Sequence, residues 1–160
     1  MVSKKVSAGI LLFRRRENQL EVLLGHPGGP FWSKKDAGAW SIPKGELAPD
    51  EDPLAGAIRE FEEETGYRPS GAFLPLPEVR QAGGKLVLAW AVSGDLDPST
   101  VKSNLFSMEW PPRSGTIAEF PELDRAGWFS VEEARVRLLA GQRPLLDALL
   151  GALEGTDQGF

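Results

Sequence analysis

The densest chemistry in the chain lies between residues 46 and 64. Eight acidic side chains fall there, Glu46, Asp50, Glu51, Asp52, Glu60, Glu62, Glu63 and Glu64, with one basic residue, Arg59, among them. Their spacing matters more than their number. On a helix turning about 100° per residue, Glu60, Glu63 and Glu64 fall at roughly 0°, 300° and 40° and share one narrow face; Glu62, at roughly 200°, points away. Carboxylates clustered in this way repel one another by about a few tenths of a kcal/mol per pair even when exposed. A helix gains nothing from that unless a cation sits among them. Oxygen ligands without His or Cys select a hard cation, Mg2+ or Mn2+. Such a cation neutralises phosphate charge, binds a water and lowers its pKa, and a further carboxylate can take the proton when that water attacks phosphorus. Lys44, with Lys34 and Lys35 upstream, can reach a phosphate from the open side. The plain alternative is a solvated acidic face on a surface helix. The surroundings argue against it: Lys44-Gly45 precedes a loop that returns to Glu51, Arg59 can hold a neighbouring carboxylate, and Gly66 ends the helix cleanly.

The elements that must position these groups follow from local pattern. Asp52 to Thr65 is a helix, with Asp52 as N-cap, Pro53 in the first turn and Gly66 as the stop. Leu54, Ala57, Ile58 and Phe61 form its apolar stripe. Val6 to Phe13 and Leu20 to Gly25 are strands joined by a polar hairpin connection that includes Arg14-Arg15-Arg16. His26 to Gly38, rich in Pro, Gly and Lys, is a long exposed loop, and long loops inside compact domains are usually functional or disordered. Ala39 to Ile42 is a short strand stopped by Pro43. Phe73 to Gln81 and Lys85 to Gly94 are antiparallel strands joined at Gly83-Gly84. Asn104 to Trp110 and Ala126 to Phe129 are further strands. Ser130-Val-Glu-Glu133 is a capping box opening a helix to about Leu139, and Pro144 starts a last helix to about Leu153. Mixed strands and helices predict a sheet flanked by helices. One domain is expected over residues 1–154, with a frayed tail at 155–160.

Composition excludes several function classes. The 160 residues contain no cysteine, which removes a disulfide framework, a thiolate metal site and cysteine nucleophile chemistry. One histidine, His26, makes a His-rich metal site impossible. A formal net charge of −5 argues against nonspecific nucleic-acid binding, for which a basic face is expected. No stretch approaches the roughly 20 apolar residues of a membrane helix. The N-terminal apolar run is short and ends in three arginines, which reads as a strand rather than an export signal, so a cytoplasmic location is expected.

Gly45, five residues, Glu51, seven residues, Arg59-Glu60-Phe61, one residue, Glu63-Glu64, one residue, Gly66-Tyr67: this pattern resembles the Nudix box at every fixed position, both apolar ones included. SAGILLF, AWSIPKG and AGWFSVEEA resemble the family's opening strand, the strand entering the box, and the strand and helix after it. The resemblance spans roughly residues 5 to 140. It implies an α/β Nudix fold, an α/β/α sandwich with a central mixed β-sheet. It implies hydrolysis of a nucleoside diphosphate linked to another group, dependent on Mg2+ with Mn2+ able to substitute. By resemblance, Glu60, Glu63 and Glu64 are metal-binding carboxylates, one of which can also act as base. The Gly45 carbonyl joins the metal shell, and Glu51 and Arg59 brace the helix. Asp50 stands where glycine is common. In diadenosine tetraphosphate hydrolases a glutamate lies six residues before the tryptophan of the post-box strand; Glu122 lies six before Trp128, and the PKG segment and opening strand are also similar to that subgroup.

Glu109, Glu119 and Glu122 are the candidates for an additional glutamate outside the box, which in the family completes the metal shell or serves as base; a structural role for Glu122 stays open. His26 reads as a solvated loop residue, the alternative being a contact to phosphate or base. Trp40, Trp90, Trp110 and Trp128 read as core. Trp32, beside Lys34 and Lys35, is a candidate nucleobase clamp, with the two lysines on distal phosphates. The expected partner is a small-molecule nucleotide diphosphate derivative, with no nucleic acid and no membrane, for a monomer or homodimer. A dinucleoside polyphosphate is the first-choice substrate, and an oxidised dNTP, ADP-ribose or NDP-sugar the alternative. A Nudix-fold binding or regulatory module without catalysis is the competing class, though degenerate modules usually lose box glutamates and this chain keeps them all.

Overall fold

The computed structural model describes residues 6–81 and 84–155. Expectations for residues 1–5, for Gly83 at its hairpin turn and for the tail beyond Gly155 lie outside them. Among the described residues eight strands and three α-helices follow one another: β1 (Val6–Arg16), β2 (Gln19–Pro27), β3 (Lys44–Glu46), α1 (Pro53–Thr65), β4 (Leu74–Arg80), β5 (Leu86–Ser93), β6 (Leu105–Glu109), β7 (Ile117–Pro121), β8 (Leu123–Ser130), α2 (Val131–Arg137) and α3 (Pro144–Gly155). The main sheet runs β4-β5-β1-β2-β8, with β3 also paired to β1. It is mixed, because β1 and β5 run parallel from Val6–Leu86 to Phe13–Ser93 and the other pairs are antiparallel. β6 and β7 form a separate two-stranded sheet.

Strand β1 decides the layering. Its residues alternate between faces, so Ala8, Ile10 and Leu12 pack with Ala57 and Phe61 of α1. Leu11 and Phe13 pack on the other face with Leu145, Leu146 and Leu149 of α3. The result is a sheet with α1 on one side and α2 and α3 on the other, the architecture the sequence predicts.

One edge of β1 serves two partners. It pairs with β3 at Ser7–Gly9 and with β2 only from Phe13 to Arg16, so β2 diverges from β1 and leaves a fork. The segment predicted as a strand over Ala39–Ile42 lies in this fork but makes only isolated bridges, Ser41 to Gly25 and Trp40 to Leu138. Pro43 is the reason: without an N–H it interrupts the ladder, and regular pairing resumes at Lys44. Strand β7 is absent from the sequence-based expectation. Its run IAEFP carries a glutamate and a proline, and it pairs only with β6.

Helix α1 matches its expected bounds because every terminal signal operates. The Asp52 side chain accepts from the Ala55 amide at 3.0 Å. Gly66 takes the left-handed conformation, φ 81°, and its N–H reaches the Glu62 carbonyl. The capping box at Ser130 and Glu133 is formed in both directions, although α2 ends at Arg137, earlier than expected.

Candidate active site

Helix α1 and strand β3 face each other across a cavity of about 460 Å3 lined by Lys44, Gly45, Glu46, Glu60, Glu63 and Glu64, with Ser7, Lys85, Asn104 and Glu122 completing the wall. The three glutamates that the helical arithmetic grouped all line this space. Glu62 points to solvent beside Arg68, 3.4 Å away.

Arg59 organises the acidic groups. Its guanidinium takes Glu51 with two bonds, Nε to Oε2 at 2.8 Å and Nη2 to Oε1 at 3.0 Å. Nη1 meets Glu63 at 3.0 Å and Glu60 at 3.0 Å. Glu51 in turn accepts from the Ala48 amide at 2.9 Å, closing the loop before the helix. The arginine, helped by that amide, holds the Glu51 carboxyl down at about 2, and the Arg59 pKa is raised by the same contact.

Glu64 differs from its neighbours. It is 9% exposed and accepts from the Lys44 amide at 2.8 Å. Burial, with the charges of Glu60 and Glu122 added, pushes its carboxyl up to about 8. Burial also raises Glu60, against the pull of Arg59. Lys44 is lowered by burial. Gly45 stands close to Glu60: a Cβ there would overlap the carboxylate and displace it from its present position.

Among the described residues no three His, Cys, Asp or Glu side chains stand together as a formed metal cluster. The donor set nevertheless fits a hard cation. Glu60, Glu63 and Glu64 are oxygen donors on one cavity, Glu64 is destabilised as an anion by burial and by its acidic neighbours, and Gly45 lets the backbone approach the Glu60 carboxylate closely. These residues, with the Gly45 carbonyl, are those that would hold it.

Of the three glutamates considered outside the box, Glu122 alone reaches the cavity. It sits at the β7–β8 junction, its amide bonded to the Asn104 carbonyl at 2.8 Å. Glu109 instead accepts from the Arg113 and Gly115 amides within the β6–β7 hairpin, and Glu119 pairs along the same hairpin with Ser107. Trp32 is half-buried on the wall of a second, adjoining cavity. Lys34 and Lys35 are exposed and line neither cavity; the Lys35 ammonium lies 5.0 Å from the Trp32 ring centroid. Lys85, Asn104 and Ser7 reach the site without any sequence signal, each being an ordinary polar residue brought there by the sheet.

Two expectations for the 26–38 segment are corrected. His26 is not a solvated residue: it is 0% exposed, donates from Nε2 to the Lys35 carbonyl at 2.6 Å, and has Nδ1 2.8 Å from Asp124. The loop also starts later than expected, since His26 and Pro27 belong to β2, and although it is exposed at Phe31 and from Ser33 to Ala37 it is anchored. Asp36 accepts from Trp40 Nε1 at 2.7 Å and binds Arg137, and the Gly38 amide bonds the Val136 carbonyl, so α2 straps the loop down. Arg14 likewise belongs to strand β1, with its guanidinium over Trp128 and paired to Glu21 and Asp95.

A NUDIX domain family model matches residues 3–149. The chain belongs to the NUDIX family of pyrophosphohydrolases. The family's hydrolases generally use divalent metals, usually Mg2+. An Ap4A hydrolase from C. elegans in a binary complex is similar in structure, with 22% identity, a TM-score of 0.67, and 94% of this chain and 98% of that one covered. The NUDIX domain of Shewanella oneidensis NrtR complexed with ADP ribose gives 14% identity and a TM-score of 0.65 over 95% and 90% of the two chains. A mutT/nudix family protein from Listeria innocua gives 18% and 0.63 over 98% of each. At these identities the likeness is one of fold. No curated protein matches the sequence significantly. No described helix is long and apolar enough to cross a membrane.

Proposed function

We propose that this chain hydrolyses the phosphoanhydride of a nucleoside diphosphate linked to another moiety, with a dinucleoside polyphosphate as first-choice substrate and Mg2+ or Mn2+ as cofactor. The observation that carries this reading is the single cavity in which Glu60, Glu63, Glu64 and Glu122 face Lys44 and Lys85. Carboxylates suit a cation, and ammonium groups suit the phosphate that the cation binds.

The bound cation would supply charge neutralisation and an acidified water. The chain's own residues do the rest. Glu60, Glu63, Glu64 and the Gly45 carbonyl would hold the cation, and Arg59, anchored by Glu51, sets the angle of Glu60 and Glu63. Lys44 and Lys85 draw the diphosphate in and fix its orientation, which in phosphoryl transfer is most of what a protein contributes. Glu122, which lines the same cavity, would take a proton from water. Likeness of fold to an Ap4A hydrolase and to a domain complexed with ADP ribose keeps a dinucleoside polyphosphate first and a nucleoside diphosphate sugar such as ADP-ribose as the alternative class, without choosing the base. A small-molecule partner, no nucleic-acid or membrane role, a monomer or homodimer, and a cytoplasmic setting belong to the same reading, as does one domain over 1–154.

The test is phosphate release with product analysis on a panel of dinucleoside polyphosphates, oxidised dNTPs, ADP-ribose and NDP-sugars, in Mg2+ and in EDTA. Turnover should require the metal. Glu63→Gln or Glu64→Gln should cost roughly a hundredfold or more in kcat, about 3 kcal/mol, with the fold intact, while Glu62→Gln leaves it within about twofold. A panel left uncut in metal, or inactivation by Glu62→Gln alone, refutes the assignment.

A further inference from the structure

The second cavity, about 270 Å3, opens beside the carboxylate cavity and shares Lys44, Glu64 and Glu122 with it, so one molecule can span both. The rest of its wall is largely apolar, with Trp32, Ile42 and Leu123 among its residues. Ligand sites are commonly of this kind, apolar with a few placed polar groups.

One polar group on that wall, the amide of Gln81, is oriented by a chain of hydrogen bonds whose first link cannot be reversed. The Ile42 backbone N–H can only donate, and Oε1 of the fully buried Gln142 accepts from it at 2.9 Å. The amide nitrogen of Gln142 therefore faces the other way. It donates to Ser41 Oγ at 2.9 Å and to Gln81 Oε1 at 2.6 Å. Ser41 gives its own proton to the Ile42 carbonyl at 2.7 Å, so it offers the cavity no donor. Gln81 thus has its oxygen turned toward Gln142, and the other end of its amide is Nε2, with two N–H groups.

We infer that the second cavity seats the base of the nucleotide, with Gln81 selecting a base whose edge presents a carbonyl, as hypoxanthine, guanine and uracil do, over one presenting an amino group, as adenine does. This rests on the adjoining cavity being the phosphate site. A wall that offers a donor rejects a second donor, because both are then left desolvated and unpaired. Trp32 supplies an aromatic wall for any base, so discrimination falls to the amide.

The test is calorimetric binding of IMP and AMP to the full chain in Mg2+, since the two differ at the purine 6-position and in the accompanying ring proton. IMP should bind about tenfold more tightly than AMP. Gln81→Leu should abolish that ratio by weakening IMP. Gln81→Glu, which keeps an acceptor toward Gln142 and turns another toward the cavity, should reverse it. Equal affinities in the wild type, a preference that survives Gln81→Leu, or no binding of either nucleotide overturns the inference. Binding is read without turnover. A chain that prefers IMP yet cuts no nucleotide supports the inference and refutes the hydrolytic reading; one that cuts nucleotides without a base preference does the converse.

Discussion

Arg59 grips three carboxylates at once, and the forked contact with Glu51 is what fixes its plane. A planar guanidinium can take a carboxylate with two parallel bonds while its remaining nitrogen reaches others; an ammonium cannot. Arg59→Lys should therefore keep the charge and lose the orientation, lowering kcat about tenfold or more with little change in melting temperature, as steady-state kinetics and thermal denaturation would show. Glu51 also makes this contact pH-dependent. Its carboxyl is held at about 2, below its ordinary 4.5. Such a group stabilises the fold above its ordinary range, and that stabilisation is lost as pH falls toward 2. Acid titration of the melting temperature should show a decline between about pH 4.5 and 2, and Glu51→Gln should flatten it. The box spacing made these residues legible in sequence, because charge at helical intervals is a local property. The contacts of His26 were not legible: its partner Asp124 lies 98 residues away, and nothing near His26 in the chain announces it.

Among the elements, α1 with its preceding loop shows how tightly a helix start can be built. Asp50 has φ 62°, a left-handed conformation that aspartate tolerates better than most residues, which accounts for its standing at a glycine position. Gly56 lies inside the helix, where glycine costs about 0.5–1 kcal/mol against alanine. A Cβ at Gly56 would strike the Leu47 side chain and stand 3.0 Å from the Glu51 carboxyl carbon. Gly56→Ala should push that loop off the helix, lowering both melting temperature and kcat through Arg59. Gly151, in α3, has nothing within 4 Å of its Cβ position. Gly151→Ala should instead stabilise by about 0.5–1 kcal/mol, raising the melting temperature by roughly 1–4 °C with kcat unchanged. Opposite signs in the two variants would separate contact from propensity. Helix α1 could be read from sequence because its caps are local. β7 and the fork between β1, β2 and β3 could not, since both depend on which distant strand takes each edge.

For the whole molecule, acidity works in two windows. Glu51 weakens the fold as pH falls below its ordinary range; Glu64 acts in the opposite sense above it. Its carboxyl is raised to about 8, so between about pH 4.5 and 8 the folded chain binds protons that the unfolded chain has released, and stability falls as pH rises. The metal-free protein should therefore melt highest near pH 5. Millimolar Mg2+ or Mn2+ should raise the melting temperature more at pH 8 than at pH 5, because at the lower pH a proton competes for Glu64. Calorimetry across pH with and without metal checks this; an equal metal response at both values would remove Glu64 from the metal site. The amide of Gln142 carries a different consequence, one of timing. It stands 100 residues after the Ile42 N–H that orients it, and Arg137, which helps strap the Trp32 loop, comes scarcely earlier. During synthesis the acidic helix is made long before either exists. Yet Glu122, proposed to take the proton, also lies in the last third of the chain, so it and the amide chain proposed to choose the base arrive together, long after the helix that carries the carboxylates.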